Sequence, residues 1–279
     1  MTAAEPMSPI TAVLLGVVEG VTEYLPVSST GHLVLASHLL GQKGEGAGAF
    51  DIVIQLGAIL AVVVHYRRLL GARVTGLLRK EKASVQLLVC LIVGFAPTAV
   101  LGLVLRKKIK ALLMGPHPVA WALVVGGIVM IGVEAYRAAK ARGADNEQIG
   151  ANGLEHVTPL RAFYIGLGQC VSMWPGASRS MCTIVAGQLA GLSTATAAEF
   201  SFLLGLPTLG AATLYEMYKS RAELGEIGAI NVAIGLAVSF VVAWAVIAAF
   251  IAYLKRRGLV PFGIYRIALG LIVLWLTWS

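Results

Sequence analysis

Charge is what this 279-residue chain has least of: Asp, Glu, Lys and Arg together make up 13% of it, against roughly 25% in an ordinary soluble domain. A water-facing surface cannot be covered with so few charges. With 58% hydrophobic residues and a mean hydropathy of +0.82, a soluble globular fold is excluded and lipid becomes the solvent. No hydrophilic run is long enough to form a separate soluble domain. Cysteine is scarce as well. Cys90, Cys170 and Cys182 lie in or near apolar segments without metal-ligand spacing, so they read as small packing residues. The stretch from Met1 to Pro9 carries no Lys or Arg, and no clean small-residue cleavage site precedes Glu19; no signal peptide is expected. The charges that remain lean positive, to a net +8, and gather at Arg67, Arg68, Arg73, Arg79, Lys80 and Lys82, at Arg106, Lys107, Lys108 and Lys110, and at Lys255, Arg256 and Arg257. Beside apolar spans such clusters meet anionic headgroups and set orientation, and nucleic-acid binding is not implied.

What is there is apolar sequence in membrane-length pieces. Spans are predicted at 50–66, 85–105, 119–136, 198–215, 229–252 and 262–278, since a helix needs about 20 residues to cross the hydrocarbon. Two further segments, 10–40 and 162–190, are broken in the middle by proline and several hydroxyls, and each reads as helix, loop, helix. The segments repeat. An offset of 149 sets Pro26 on Pro175 and Ser29 on Ser178, and an offset of 150 sets Phe50-Asp51-Ile52 on Phe200-Ser201-Phe202. The expected architecture is an all-α polytopic membrane protein forming one integral domain, with halves 10–136 and 162–278. Each half holds a broken, re-entrant hairpin and three spans. Three is odd, so the second half enters the membrane from the opposite side, as in inverted-topology repeats. Placing loop 67–84 in the cytoplasm puts 137–161 and 255–259 there too, and leaves the basic loop 106–118 and both termini outside.

The polar residues inside these apolar segments are expensive and ask for a function. Glu19 and Glu23 are four apart, on one helical face, and can ligate a hard divalent cation or leave one carboxyl neutral to shuttle a proton. They precede Pro26-Val27-Ser28-Ser29-Thr30-Gly31-His32. Proline stops a helix there and hydroxyls cap the next, yet three consecutive hydroxyls exceed what a cap uses. One of them, or a water, can attack phosphorus, with His32 as acid or base, and amides at the helix start suit an anion. The second loop, Pro175-Gly176-Ala177-Ser178-Arg179-Ser180, has glycine for a tight turn, two hydroxyls and a guanidinium that pairs bidentately with phosphate. Arg179 can instead pair structurally with Glu19 or Glu23. Gln169 is a candidate for orienting water. Asp51, Gln55 and Glu199 read as supporting or bundle-interior polar residues, and Tyr24, Trp174, Trp275 and Trp278 as packing or interface anchors.

The run from Glu19 to His32 resembles, almost residue for residue, the first signature of the undecaprenyl-diphosphate phosphatase (bacitracin-resistance) family, and Pro175 to Ser180 resembles the second. The likeness spans nearly the whole chain, including Phe50 to Gln55 and Glu199 to Ser201. It implies hydrolysis of a C55 polyprenyl diphosphate to the monophosphate lipid carrier used in cell-wall synthesis. It also implies a divalent cation, Mg2+ or Ca2+, on Glu19 and Glu23, and a multi-pass protein of the bacterial cytoplasmic membrane with its site open to the periplasm. By motif the expected catalytic set is Glu19, Glu23, Ser29, His32, Ser178 and Arg179, with Ser28, Thr30, Gln169, Gly176 and Arg179 binding substrate. The nucleophile stays open between Ser29, His32 and water, and a homodimer stays open too. The second signature usually continues with glycine where this chain has Met181, a change expected to touch packing and no reacting group. Three other readings compete: a transporter or channel, which shares inverted repeats and broken helices; a type-2 phosphatidic-acid phosphatase, whose Lys-rich first motif and final His are not seen; and a purely structural membrane protein, which leaves the clustered ionisable groups unexplained.

Overall fold

The computed structural model describes residues 7–42, 45–113, 115–142 and 150–277. Among them regular structure is helical, apart from an isolated bridge between Ala151 and Leu192 and a 3-10 turn at Leu154–His156. The helices are α1 (Pro9–Thr22), α2 (Ser29–Leu39), α3 (Glu45–His65), α4 (Arg67–Leu78), α5 (Lys82–Leu113), α6 (Pro116–Arg142), α7 (Pro159–Val171), α8 (Arg179–Leu189), α9 (Thr194–Lys219), α10 (Arg221–Ile227), α11 (Ala229–Leu254) and α12 (Val260–Thr277). Stretches of α3, α5, α6, α9, α11 and α12 are long and apolar enough to cross a membrane, and they match the six predicted spans. The protein is an all-α polytopic membrane protein.

Two predicted loops are helical instead. Much of 67–84 forms α4, and α5 runs on past the predicted start of loop 106–118 to Leu113. Arg, Lys and Leu are strong helix formers, so a basic segment leaving the hydrocarbon keeps its helix. Trp278 lies outside the described residues, as does the 143–149 part of the predicted loop 137–161.

The two broken hairpins, α1–α2 and α7–α8, are built alike. Ser8 caps α1 by accepting from the Thr11 amide at 3.1 Å, Thr158 caps α7 by accepting from the Arg161 amide at 3.3 Å, and a proline follows each cap, where a missing N–H costs nothing. The second helices end on matching bonds. The amides of Leu40 and Gln42 donate to Ala36 and Ser37 carbonyls, and those of Ala190 and Leu192 to Ala186 and Gly187. Gly41 and Gly191 both take positive φ there. Every one of these pairs is 150 positions apart. The proline-based offset of 149 is therefore one residue off around the loops: Ser28, not Ser29, corresponds to Ser178. Both adopt the left-handed region, at φ 74° and 71°, and this turn rather than the proline sets the register.

The chain forms two compact bodies. The first comprises Met1–Tyr24, Ser29–Arg67 and Gly205–Ala249. Its core gathers Met7, Ala12, Leu15, Leu33, Phe50 and Ile54, and α1 lies on α11 along a glycine seam. A Cβ on Gly16 would stand 2.8 Å from the Gly235 carbonyl oxygen, and one on Gly20 2.8 Å from that of Ser239. The second body comprises Leu25–Ser28, Arg68–Leu204 and Phe250–Ser279. Here α5 meets α7 at Gly94 and Gly166, and α6 meets α12 at Gly127, Gly263 and Gly270. Small residues at such contacts let backbones approach closely where lipid supplies no hydrophobic drive.

Candidate active site

In the first body Glu19 lies on the penultimate turn of α1 and Glu23 caps its end, its amide donating to the Glu19 carbonyl at 3.0 Å. Both carboxylates are buried, at 0% and 6% exposure. Ser29 opens α2, is 8% exposed, and donates its hydroxyl to Glu23 Oε2 at 2.6 Å. That length belongs to a charge-assisted O–H···O⁻ bond. It closes the loop between the two helices and already directs the serine proton at a carboxylate. His32 stands half-buried one turn into α2, and Thr30, predicted to bind substrate, is exposed. Tyr24 is buried, with its hydroxyl on the Ala58 carbonyl at 2.9 Å, a packing role as expected. Asp51 accepts from Ser37 Oγ at 3.4 Å.

The second body holds Ser28, Gln169, Gly176, Ser178 and Arg179. Ser178 caps α8, accepting from the Met181 amide at 3.3 Å. Ser180 is fully buried and donates to the Leu25 carbonyl at 2.9 Å; a hydroxyl has one proton, so Ser178 is the donor across the 3.1 Å to Ser180. Ser180 thus ties the second loop to the first. Arg179 donates from Nη1 to the Ser201 carbonyl at 2.9 Å and to Ser201 Oγ at 3.3 Å. Ser201 Oγ lies 2.6 Å from Thr183 Oγ1, and Thr183 donates back to the Arg179 carbonyl at 2.8 Å. This closed ring holds one edge of the guanidinium. Gln169, wholly buried, donates to Thr98 Oγ1 at 2.9 Å, which fixes the amide in place. Trp174 donates to the Pro118 carbonyl at 3.1 Å, and Trp275 is exposed. Met181 is buried, its Cε 2.9 Å from where a Cβ on Gly126 would stand, so the departure from the family's glycine falls on packing.

Gly176 has φ 93°, and a Cβ there would stand 2.6 Å from the Val119 carbonyl oxygen. Alanine at this position meets both backbone strain and a collision with rigid main chain, so Gly176→Ala is expected to cost about 2 kcal/mol or more. Thermal unfolding of the protein in detergent checks this; an unshifted transition would show that the loop relaxes freely.

Three contributors carry no signal in the two motifs. Ser201 and Thr98 are ordinary hydroxyls in apolar helices. Arg266 had one, as a lone cation inside a predicted span, where charge is functional by default. It is fully buried on α12, and its guanidinium donates to the carbonyls of Pro26, Ala122, Gly176 and Ala177. Among the described residues no cluster of three or more His, Cys, Asp or Glu side chains forms a ready-made metal site.

Comparison with known proteins meets this geometry. The family model for bacitracin resistance protein BacA matches residues 12–272. A protein of Sorangium cellulosum (strain So ce56) named undecaprenyl-diphosphatase is 58% identical over 267 residues, 95% of this chain and 85% of the relative. One of the same name from Novosphingobium aromaticivorans is 48% identical over 274 residues, 96% of this chain and 98% of its own length. Undecaprenyl-diphosphatase 2 of Rhodospirillum rubrum is 45% identical over 272 residues, 97% and 95% of the two chains.

Proposed function

The chain belongs to the bacitracin resistance protein BacA family, and from that premise we propose that it hydrolyses undecaprenyl diphosphate to undecaprenyl phosphate and inorganic phosphate, recycling the lipid carrier of peptidoglycan synthesis. The observation that carries the chemistry is the 2.6 Å bond from Ser29 Oγ to Glu23 Oε2. It supports Ser29 as nucleophile over water or His32, because hydroxyl and base are already joined.

In this mechanism Glu23 takes the Ser29 proton as Oγ attacks the terminal phosphorus. The bond from phosphorus to the bridging oxygen breaks, and its electron pair leaves on the prenyl monophosphate. That group is a tolerable anion, so neutralising charge matters more than protonating it. In the second body, Arg179 and the amides at the start of α8 are donors suited to phosphoryl oxygens. A water that gives its proton to His32 then attacks the phosphoserine, the Oγ–P bond breaks, Ser29 recovers its proton from Glu23, and His32 releases the water's proton to solvent. The donor set fits a divalent cation, Mg2+ or Ca2+: two hard carboxylates suit an ion that draws its other ligands from substrate phosphates and water. Glu19 and Glu23 would hold it, and when bound it offsets diphosphate charge. The apolar helices give the prenyl tail a lipid-like wall. The proposed setting is the bacterial cytoplasmic membrane with the site open to the periplasm, supported by the basic residues in and after α4, which favour a cytoplasmic face.

Purified protein in detergent, given C55 prenyl diphosphate, is expected to release one inorganic phosphate per lipid and leave the monophosphate intact. No release would overturn the reading. Chelation is expected to lower turnover about 100-fold, several kcal/mol of charge stabilisation being at stake, with recovery on adding Mg2+ or Ca2+. Undiminished turnover in excess chelator would remove the cation from the scheme.

A further inference from the structure

Arg266 joins the two signature loops by their backbones. Nη1 donates to the Pro26 carbonyl at 3.2 Å, in the first loop. Nη2 donates to the carbonyls of Gly176 at 2.9 Å and Ala177 at 3.1 Å, in the second, and to Ala122 of α6 at 3.0 Å. All of these residues belong to the second body. The pocket for the guanidinium exists because residue 126 is glycine: a Cβ there would collide with Nη2.

Two consequences follow from elementary geometry and electrostatics. In a trans peptide C=O and N–H point opposite ways, so three carbonyls turned toward Arg266 turn the amides of Val27, Ala177 and Ser178 away from it. The first two close turns inside their own loops, onto the Leu25 carbonyl at 2.8 Å and the Trp174 carbonyl at 3.0 Å. The Ser178 amide is left facing outward, beside the first amides of α8. Secondly, among the described residues no carboxylate forms an ion pair with Arg266, whose hydrogen-bond partners are all carbonyl oxygens. Dipoles bond its two Nη groups without cancelling its charge, so a positive charge stands buried directly behind both loops.

We propose that Arg266 is a positioning residue for the hydrolysis: it locks the two signature loops in one geometry, aims the Ser178 amide and the start of α8 at the terminal phosphate, and backs them with fixed positive charge. This rests on the phosphatase reading above. A misplacement of about 1 Å in a positioned site can cost about 100-fold in rate, so Arg266→Ala is expected to lower kcat about 100-fold with KM changed less than about threefold, the prenyl tail still supplying binding. Arg266→Lys keeps the charge but loses the planar fork and is expected to fall between. Guanidinium ion added at millimolar concentration is expected to recover about tenfold of the Arg266→Ala loss.

The control is Leu274→Ala, a buried residue on the same helix that packs with Ala120 and Val124. If kcat falls equally in Arg266 and Leu274 variants with matched unfolding temperatures, or if Arg266→Lys keeps full kcat, Arg266 only braces the fold and the proposal fails. Should Arg266→Ala not fold, Gly126→Ala carries the test by crowding the guanidinium, with kcat expected to fall about tenfold at near-normal KM; unchanged kcat would overturn the proposal. Wild-type protein that releases no phosphate sinks the phosphatase reading itself, whereas active wild type with a fully active Arg266→Lys sinks this inference alone.

Discussion

Ser29→Ala is expected to lower phosphate release about 1000-fold or more while the protein stays folded. Removing a covalent nucleophile typically costs at least that much, and here the residue lost holds a hydroxyl bonded to Glu23 at nucleophile–base distance. The fold should tolerate the change, since alanine is the best helix former and Ser29 sits in the first turn of α2. Rapid acid quenching of wild-type protein during turnover should leave acid-stable phosphate on Ser29, and none on the variant. Near-normal turnover of Ser29→Ala would return the attack to water and leave Glu23 as its base.

Arg179→Lys is expected to lower kcat/KM about 100-fold, although the charge is unchanged. The guanidinium is held on one edge by Ser201, whose hydroxyl is itself tied to Thr183 and through it to the Arg179 backbone. A lysine ammonium offers a point charge without the planar fork that binds two phosphoryl oxygens together, and the loss of one well-placed oxyanion donor costs about 100-fold or more. Steady-state kinetics on prenyl diphosphate, with inorganic phosphate as product inhibitor, measures both effects. A lysine variant with unaltered kcat/KM would show that Arg179 supplies only diffuse charge.

The six spans and both hairpins are legible in the sequence for one reason: lipid demands long apolar runs, and proline with clustered hydroxyls breaks them visibly. Helix ends are less legible. Basic residues at the edge of a span favour helix as much as loop, which is why α4 and the end of α5 fall where loops are expected. Glu19, Glu23, Ser29 and Arg179 stand out because polar groups inside apolar sequence need a cause. The one-residue register between loops is hidden, since prolines draw the alignment while backbone conformation at Ser28 and Ser178 decides it. Ser180 is half legible: in sequence it offers a hydroxyl to the second loop, and in the fold that hydroxyl is a strut onto the Leu25 carbonyl. The role of Arg266 was illegible because its partners are main-chain carbonyls, which every residue has and no motif records.

The matched turns at Ser28 and Ser178 make Ser29 and Arg179 the same position of a repeated frame, each opening its second helix. A chain with a single repeat could hold only one residue type at that place, so two such chains together would present two serines or two arginines. Joining the halves in one polypeptide lets a single position diverge into a serine and an arginine. Under the proposed mechanism each copy is committed: exchanging Ser29 and Arg179 would preserve composition while handing each frame the other's task.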